Sequence, residues 1–256
     1  MPLTGWKRAQ RREVRIEFGR FLELSLGTAD IASSVLFYER LGFGQYITGD
    51  AWPHRYGVVS DGRVHLGLHE SSAFPALAVS FVLPQLEHAR NRLQSLAIIP
   101  EVASLGAESL NQLRLRDPAG HAVLLLEART YSPTPLSRVG ESLCGYFLHL
   151  SVPQPDFQAA RAFWETGGLI GLEAEQEPYP HLPLTSDELN LAFHPIDFFA
   201  APLLVFASPE LRALEAQLAQ LDVPRSRHPA SAPANRQAVL IKAPEGTALL
   251  LVQAPS

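Results

Sequence analysis

A duplication constrains this chain more than any other feature. "RFLELSL" at Arg20–Leu26 returns as "YFLHLSV" at Tyr146–Val152, with His149 where Glu23 stood. At that same spacing Asp30 matches Asp156, and Phe37-Tyr38 matches Phe163-Trp164. The correspondence continues through "WPH" and "YPH", "HLGLHE" and "NLAFHP", "FVLPQL" and "FASPEL", and "DPAGHAVLLLE" and "APEGTALLLVQ". A period of about 125 residues is far too long for a solenoid and marks the copying of a whole domain. The 256 residues hold two such copies, each large enough to bury a core. Between them "YSPTPLSR", with two prolines and small polar residues, reads as an extended linker. The expected organisation is an N-terminal extension over 1–18, a domain over 19–129, a linker over 130–143 and a second domain over 144–253.

Each copy repeats one rhythm twice, a strand, a helix and three strands. Phe21 to Leu26 alternates as a half-buried strand, and Asp30 has the chemistry of a helix N-cap ahead of the apolar face of Ile31, Val35 and Tyr38. Gly42 in "LGF" offers the left-handed residue at which helices exit. Strands follow near 44–48, 55–60 and 63–69. The second quarter predicts a strand at 77–83, a helix at 85–96, and strands near 101–104, 110–116 and 121–127. Asp117-Pro118-Ala119-Gly120 makes the last turn. The fold class expected is α+β, built from four βαβββ modules.

With 46% hydrophobic and 18% charged residues the composition is that of an ordinary globular protein. A net charge of −5 leaves no electrostatic footprint for nucleic acid, and "WKRAQRREVR" is too short to change that. The N-terminus lacks the apolar run of a signal peptide, and no stretch approaches the roughly 20 apolar residues of a membrane helix. A single cysteine, Cys144, excludes an internal disulfide and a CxxC redox site. The expectation is a cytoplasmic protein with a small-molecule ligand and neither nucleic acid nor membrane as partner. Monomer and homodimer are both compatible with the sequence.

The phrase D-x-x-x-S-x-x-F-Y-x-x-L-G-F from Asp30 to Phe43, with "RLRDPAGHAVLLLE" closing the half, resembles the vicinal oxygen chelate superfamily. That superfamily includes glyoxalases, bleomycin and fosfomycin resistance proteins, and extradiol dioxygenases. The resemblance covers nearly the whole chain from residue 19. It implies two tandem glyoxalase-like domains whose curved, mixed sheets form cups. It also implies a divalent metal ion held by inward-facing side chains, the first lying seven residues before the helix-opening aspartate. Those positions are Glu23 and His149. The corresponding positions on the opening strand of the second module are Ala78 and Leu203, and on the final strand Leu124 and Leu250, all apolar.

Strand alternation places Phe21, Glu23 and Ser25 on the cup face and Leu22, Leu24 and Leu26 against the helices. On the fourth strand His65, Gly67 and His69 face the cup, and Asn190 and His194 hold the matching places in the repeat. The candidate set is therefore Glu23 as a catalytic carboxylate, with Glu23, His65 and His149 as candidate metal ligands. Trp52, His54, His65, His69, Arg114, His149 and Asn190 are candidates for ligand contact. Trp52, His54 and Tyr56 make an aromatic and imidazole wall, and Arg114, on one face with Arg116, suits a carboxylate or phosphate. Three readings are compatible with these residues: a small-molecule-binding protein with a reduced metal site, a divalent-metal lyase, isomerase or extradiol-type dioxygenase, and a drug-sequestering resistance protein. Glu23 acting as a base without metal is a further option.

Overall fold

The computed structural model describes residues 18–48, 52–106, 110–128, 142–227 and 238–254. The first module runs β1 (Arg20–Thr28), α1 (Ile31–Arg40), β2 (Gly44–Tyr46), β3 (Tyr56–Ser60) and β4 (His65–Glu70). The second runs β5 (Leu77–Leu83), α2 (Leu86–Ser95), β6 (Val102–Ser104), β7 (Gln112–Arg116) and β8 (Ala122–Glu127). The second copy opens with β9 (Tyr146–Pro153), α3 (Phe157–Thr166), β10 (Ile170–Gly171), β11 (Leu182–Thr185) and β12 (Asn190–His194). It closes with β13 (Leu203–Ser208), α4 (Leu211–Gln220), β14 (Arg225–Arg227), β15 (Ala238–Lys242) and β16 (Ala248–Gln253).

The strands form two eight-stranded mixed sheets, ordered β2-β3-β4-β1-β5-β8-β7-β6 and β10-β11-β12-β9-β13-β16-β15-β14. In each the two modules meet through an antiparallel central pair, β1 with β5 and β9 with β13. Each first strand also runs parallel to the last strand of its own module. The architecture is thus α+β with four βαβββ modules, and consecutive modules share one sheet. Neither sheet closes on itself, which leaves one concave face in each.

Local chemistry accounts for the helix starts. Asp30 accepts from Ser33 N at 3.2 Å, and Asp156 accepts from Gln158 N and Ala159 N at 2.9 and 3.0 Å. Gly42, at φ +89°, takes the left-handed exit after α1.

The helix-covered faces of the two sheets bury one continuous core, which includes Leu24, Leu66, Leu113, Leu125, Phe147, Phe193, Phe206 and Leu251. Two reciprocal polar contacts tie the copies together. Asp117, in the turn before β8, accepts from Gln154 and from the indole of Trp164 on α3. Glu245, in the matching turn before β16, accepts from Tyr38 Oη at 2.6 Å and Ser34 Oγ at 2.9 Å on α1. Tyr38 and Trp164 are the repeat's equivalent residues, so each copy clasps the other's first helix. Burial, followed by the nearby Glu245 charge, pushes the Tyr38 hydroxyl well above the usual phenol range.

Residues 1–17 of the expected extension and 130–141 of the expected linker lie outside the described residues. Phe18, placed by sequence in that extension, is fully buried, with its ring 5.6 Å from Phe81 and 5.4 Å from Phe163. Leu143 N donates to Leu41 O at 2.8 Å, which anchors the start of the second copy to the first. Among the described residues no helix is long and apolar enough to cross a membrane.

Phe18 packs between Phe81 on β5 and Phe163 and Trp164 on α3 of the second copy, so Phe18→Ala is expected to lower stability by about 3 kcal/mol, the cost of a large-to-small aromatic truncation in a core. Denaturant unfolding followed separately by Trp52 and Trp164 fluorescence checks this: both transitions should shift to lower denaturant together.

Candidate functional site

Why does strand β1 carry a carboxylate? Glu23 is 2% exposed, and a buried charge requires donors. It has them on every side. Tyr56 Oη donates to Oε2 at 2.6 Å, Ser25 Oγ donates to Oε1 at 2.7 Å, and His69 Nε2 lies 3.3 Å from Oε1. Ser80 Oγ on β5 braces Ser25 Oγ at 2.7 Å. The space comes from Gly67, because a Cβ there would fall on the Glu23 carboxylate. A glycine in the middle of an apolar strand is therefore a seat for the side chain next door.

This geometry changes two expectations. A bulge at Leu22 puts Phe21 opposite Phe81 while Glu23 lies opposite Ser80. Phe21 therefore turns to the helix-side core and does not share the cup face with Glu23. The bulge recurs at Leu148 in β9, as the duplication requires. The second change concerns Glu23's partner, which is His69 and not His65. The two strands run parallel with Ser25 beside Gly67, and the carboxylate leans forward over Gly67 towards His69. His65 stays half-buried, its ring 5.4 Å from that of Tyr46, and burial lowers its pKa.

His69 carries the network outward. Its ring stacks on Phe74 at 3.8 Å and 6°, meets Trp52 edge-on at 4.7 Å, and its Nδ1 lies 3.0 Å from His54 Nε2. His54 in turn borders an open cleft of about 660 Å³. Trp52, His54 and Phe74 line one side of it, while Val102, Ser104, Leu110, Gln112, Arg114 and Leu124 line the other. Both modules of the first sheet contribute, and the size suits a small organic molecule. Arg114 Nε and Arg116 Nε lie 3.1 and 2.9 Å from the same Glu101 Oε2. Two guanidinium groups share one carboxylate, so this side of the cleft keeps a net positive charge.

Among the described residues the matching face of the second sheet is packed with side chains. Tyr179, Leu203, Val205, Leu250 and Val252 form an apolar cluster, with Phe198, Phe199 and Leu240 packed against it. The ring of Tyr179 stacks on Phe198 at 4.6 Å and 12°. The first sheet's counterpart is only Ala78, Ala122 and Leu124, with Phe74. Leu203 stands where Ala78 does, Val205 where Ser80 does, and Leu240 where Arg114 does. His149 is buried, with Nε2 2.7 Å from Tyr179 Oη; burial first, then the neighbouring His181 and His194, lowers its pKa to about 3. Asn190 does not join it: exposed, it accepts from Thr185 Oγ1 and donates to Leu148 O.

Of the residues expected from sequence, Glu23, His69, His54 and Trp52 come together, and Arg114 faces them across the cleft. His65, His149 and Asn190 lie apart. Phe74, Gln112 and the Ser25–Ser80 pair are additions. For the serines the signal was available, because both sit at cup-facing strand positions.

The donors do not fit a divalent metal ion. Among the described residues no group of three or more His, Cys, Asp or Glu is placed to hold one. Glu23 and His69 already bond to each other, and Ala78, Leu124, Leu203 and Leu250 have no donor atoms. Cys144 is fully buried, and burial pushes its thiol up to about 12, which fits a packing role.

Neither a protein-family model nor a curated protein sequence matches the chain. Solved structures do match in three dimensions. A catechol 2,3-dioxygenase aligns with 93% of this chain and 88% of its own, at a TM-score of 0.55 and 16% identity. A homoprotocatechuate 2,3-dioxygenase variant from Brevibacterium fuscum aligns over 93% and 72%, at 0.60 and 16%. A halotolerant catechol dioxygenase aligns over 93% and 87%, at 0.55 and 16%. At this identity the likeness establishes the fold: two tandem domains of the vicinal oxygen chelate architecture.

Two outcomes follow. Gly67→Ala forces the Glu23 carboxylate off its seat and is expected to cost about 1–3 kcal/mol, an overpacking penalty measurable by thermal or denaturant unfolding. His149 has a folded pKa below its unfolded value near 6.5, so the unfolded chain gains the proton first as pH falls. Its contribution is complete above about pH 6.5 and is lost towards pH 3 at about 1.4 kcal/mol per pH unit. Unfolding free energies measured across that window should show this slope, and His149→Leu should flatten it.

Proposed function

We propose that this chain binds a small organic molecule in the cup of its first sheet without a metal ion, the ligand pairing a planar or apolar body with an acidic group. The observation that carries this reading is the contrast between the two cups. One is an open cleft of about 660 Å³ with Arg114, His54 and Trp52 on its walls; the other is packed with Leu203, Val205, Leu240 and Leu250. A duplicated protein that fills one cup with aliphatic side chains and keeps the other lined by aromatic, imidazole and guanidinium groups retains the second arrangement at a cost in stability. Trp52 and Phe74 offer faces for a ring, Leu110, Val102 and Leu124 an apolar floor, and Arg114 a partner for a carboxylate. Drug sequestration would use the same cleft, with an aromatic acid as the captured molecule.

The names of the structural neighbours speak of dioxygenases. Carrying that chemistry here would require metal donors at Ala78 and Leu124, or at Leu203 and Leu250, where this chain has only hydrocarbon. The expectation is that protein purified without chelators and offered ferrous, manganous, nickel or zinc ions contains no stoichiometric metal by elemental analysis. One ion per chain that disappears in Glu23→Ala would overturn the metal-free reading.

The ligand class is tested by a thermal-shift screen over benzoate, salicylate, phthalate and hydroxyphenylacetates, followed by titration calorimetry on any that stabilise. Arg114→Leu, which installs the residue of the second cup, should weaken carboxylate ligands by about tenfold, or roughly 1.4 kcal/mol. Leu124→Trp should fill the cleft and abolish binding. Undiminished affinity in both variants would sink the proposal.

A further inference from the structure

We infer that the first cup holds a metal-free general base, His54 Nδ1, which takes a proton from an acidic C–H or O–H of a ligand seated in the cleft, with His69 and Glu23 as positioning residues behind it. This rests on the binding reading above and gives that site a chemistry. The argument is one of hydrogen-bond polarity along a three-residue chain. Every group around Glu23 is a potential donor: Tyr56 Oη, Ser25 Oγ and His69 Nε2. With Glu23 as the acceptor, His69 carries its proton on Nε2, and its Nδ1 is left with the lone pair. His54 Nε2, 3.0 Å from that Nδ1, must then be the donor. A neutral imidazole with its proton on Nε2 has its lone pair on Nδ1. Among the described residues His54 Nδ1 makes no hydrogen bond, and the ring borders the cleft.

The chain thus has the logic of an oriented base. A buried carboxylate fixes one imidazole, which fixes a second, and the second presents its free nitrogen to the ligand space. His69 cannot turn, since it is fully buried and stacked on Phe74 with Trp52 and Tyr56 against it. Burial, and then the adjacent His69, lower the His54 pKa, which favours the neutral, proton-accepting ring near neutral pH. When Nδ1 takes a proton, the positive charge on His54 is stabilised through His69 by the Glu23 carboxylate. Arg114 across the cleft faces the negative charge left on the ligand. The second copy cannot do this: His149 replaces Glu23, and its Nε2 is tied to Tyr179 Oη inside a filled cup.

Two measurements on the full chain test the inference. The first is the tautomer of each ring, read from long-range proton–nitrogen NMR spectra at neutral pH, with His54→Gln and His69→Gln for assignment. Both neutral rings should carry the proton on Nε2; a proton on Nδ1 of His54 overturns the inference whether or not any ligand binds. The second uses 5-nitrobenzisoxazole, a planar probe that reports proton abstraction. The base takes the C3 proton, the C–H pair becomes the third bond of a nitrile, the N–O bond breaks, and its pair leaves on oxygen as the coloured 2-cyano-4-nitrophenolate. Saturable turnover is expected in the wild type, with kcat falling about 100-fold or more in His54→Ala at little change in KM. Glu23→Gln should lower kcat and disturb the His54 tautomer together, a pairing that a merely structural role for Glu23 would not produce. Saturable binding of the probe with a kcat unchanged in His54→Ala overturns the base. If the probe, which has no acidic group for Arg114, fails to saturate the wild type, the tautomers alone decide the inference, and the binding reading stands or falls on the aromatic-acid titrations.

Discussion

A carboxylate buried in the middle of a strand must be surrounded by donors, and in this protein that requirement organises everything on the concave face of the first sheet. Glu23 needs room, which Gly67 supplies by having no side chain. It also needs hydrogen bonds, which come from Ser25 on its own strand, Tyr56 two strands away and His69 on the neighbouring strand. Once His69 is spent on Glu23, its second nitrogen can only be satisfied from outside, and His54 comes in from the segment before β3. Trp52 and Phe74 then pack around the two imidazoles and become the wall of a cleft. The chain of causes runs from one residue type at one strand position to the lining of a site some residues away.

The duplicated half shows what the same backbone does when the requirement is lifted. With His149 in place of Glu23, the polar group is a neutral ring satisfied by a single bond to Tyr179. Around it Leu203, Val205 and Leu240 stand where the first copy has Ala78, Ser80 and Arg114, and Phe198 and Phe199 close over them. The Ala78-to-Leu203 difference alone buries additional hydrocarbon worth about 2 kcal/mol when the packing is good. The filled cup and the open one thus sit on opposite sides of a trade between stability and a usable cavity. They are held in fixed relation by the reciprocal clasp in which Asp117 meets Trp164 and Glu245 meets Tyr38.

The modular fold was legible because it rests on signals that are local or repeated. Asp30 and Asp156 as caps, Gly42 as an exit and the alternation of β1 each follow from short-range sterics and hydrogen bonding, and the duplication states them twice. What escaped the sequence was lateral. A bulge at Leu22 moves Phe21 to the opposite face, and no residue type announces it. The choice of His69 over His65 as the partner of Glu23 depends on how a flexible side chain leans across Gly67, which alternation alone cannot tell. Arg114 was readable as cup-facing, but its sharing of Glu101 with Arg116 depends on β6 lying beside β7. The burial of Phe18 follows from the packing of one copy on the other, a relation between domains that strand and helix patterns do not encode.

The measurement that bears most directly on the division between the cups is to locate a ligand. Crystals soaked in 4-bromobenzoate, with diffraction recorded at the bromine absorption edge, would mark the position of an aromatic acid without any assumption about its pose. If the first cup is the binding site, the anomalous map holds one bromine peak per chain, between Trp52 and Leu124, with the carboxylate at Arg114. A peak among Leu203, Leu240 and Leu250, or none in the first cup at saturating ligand, would contradict it.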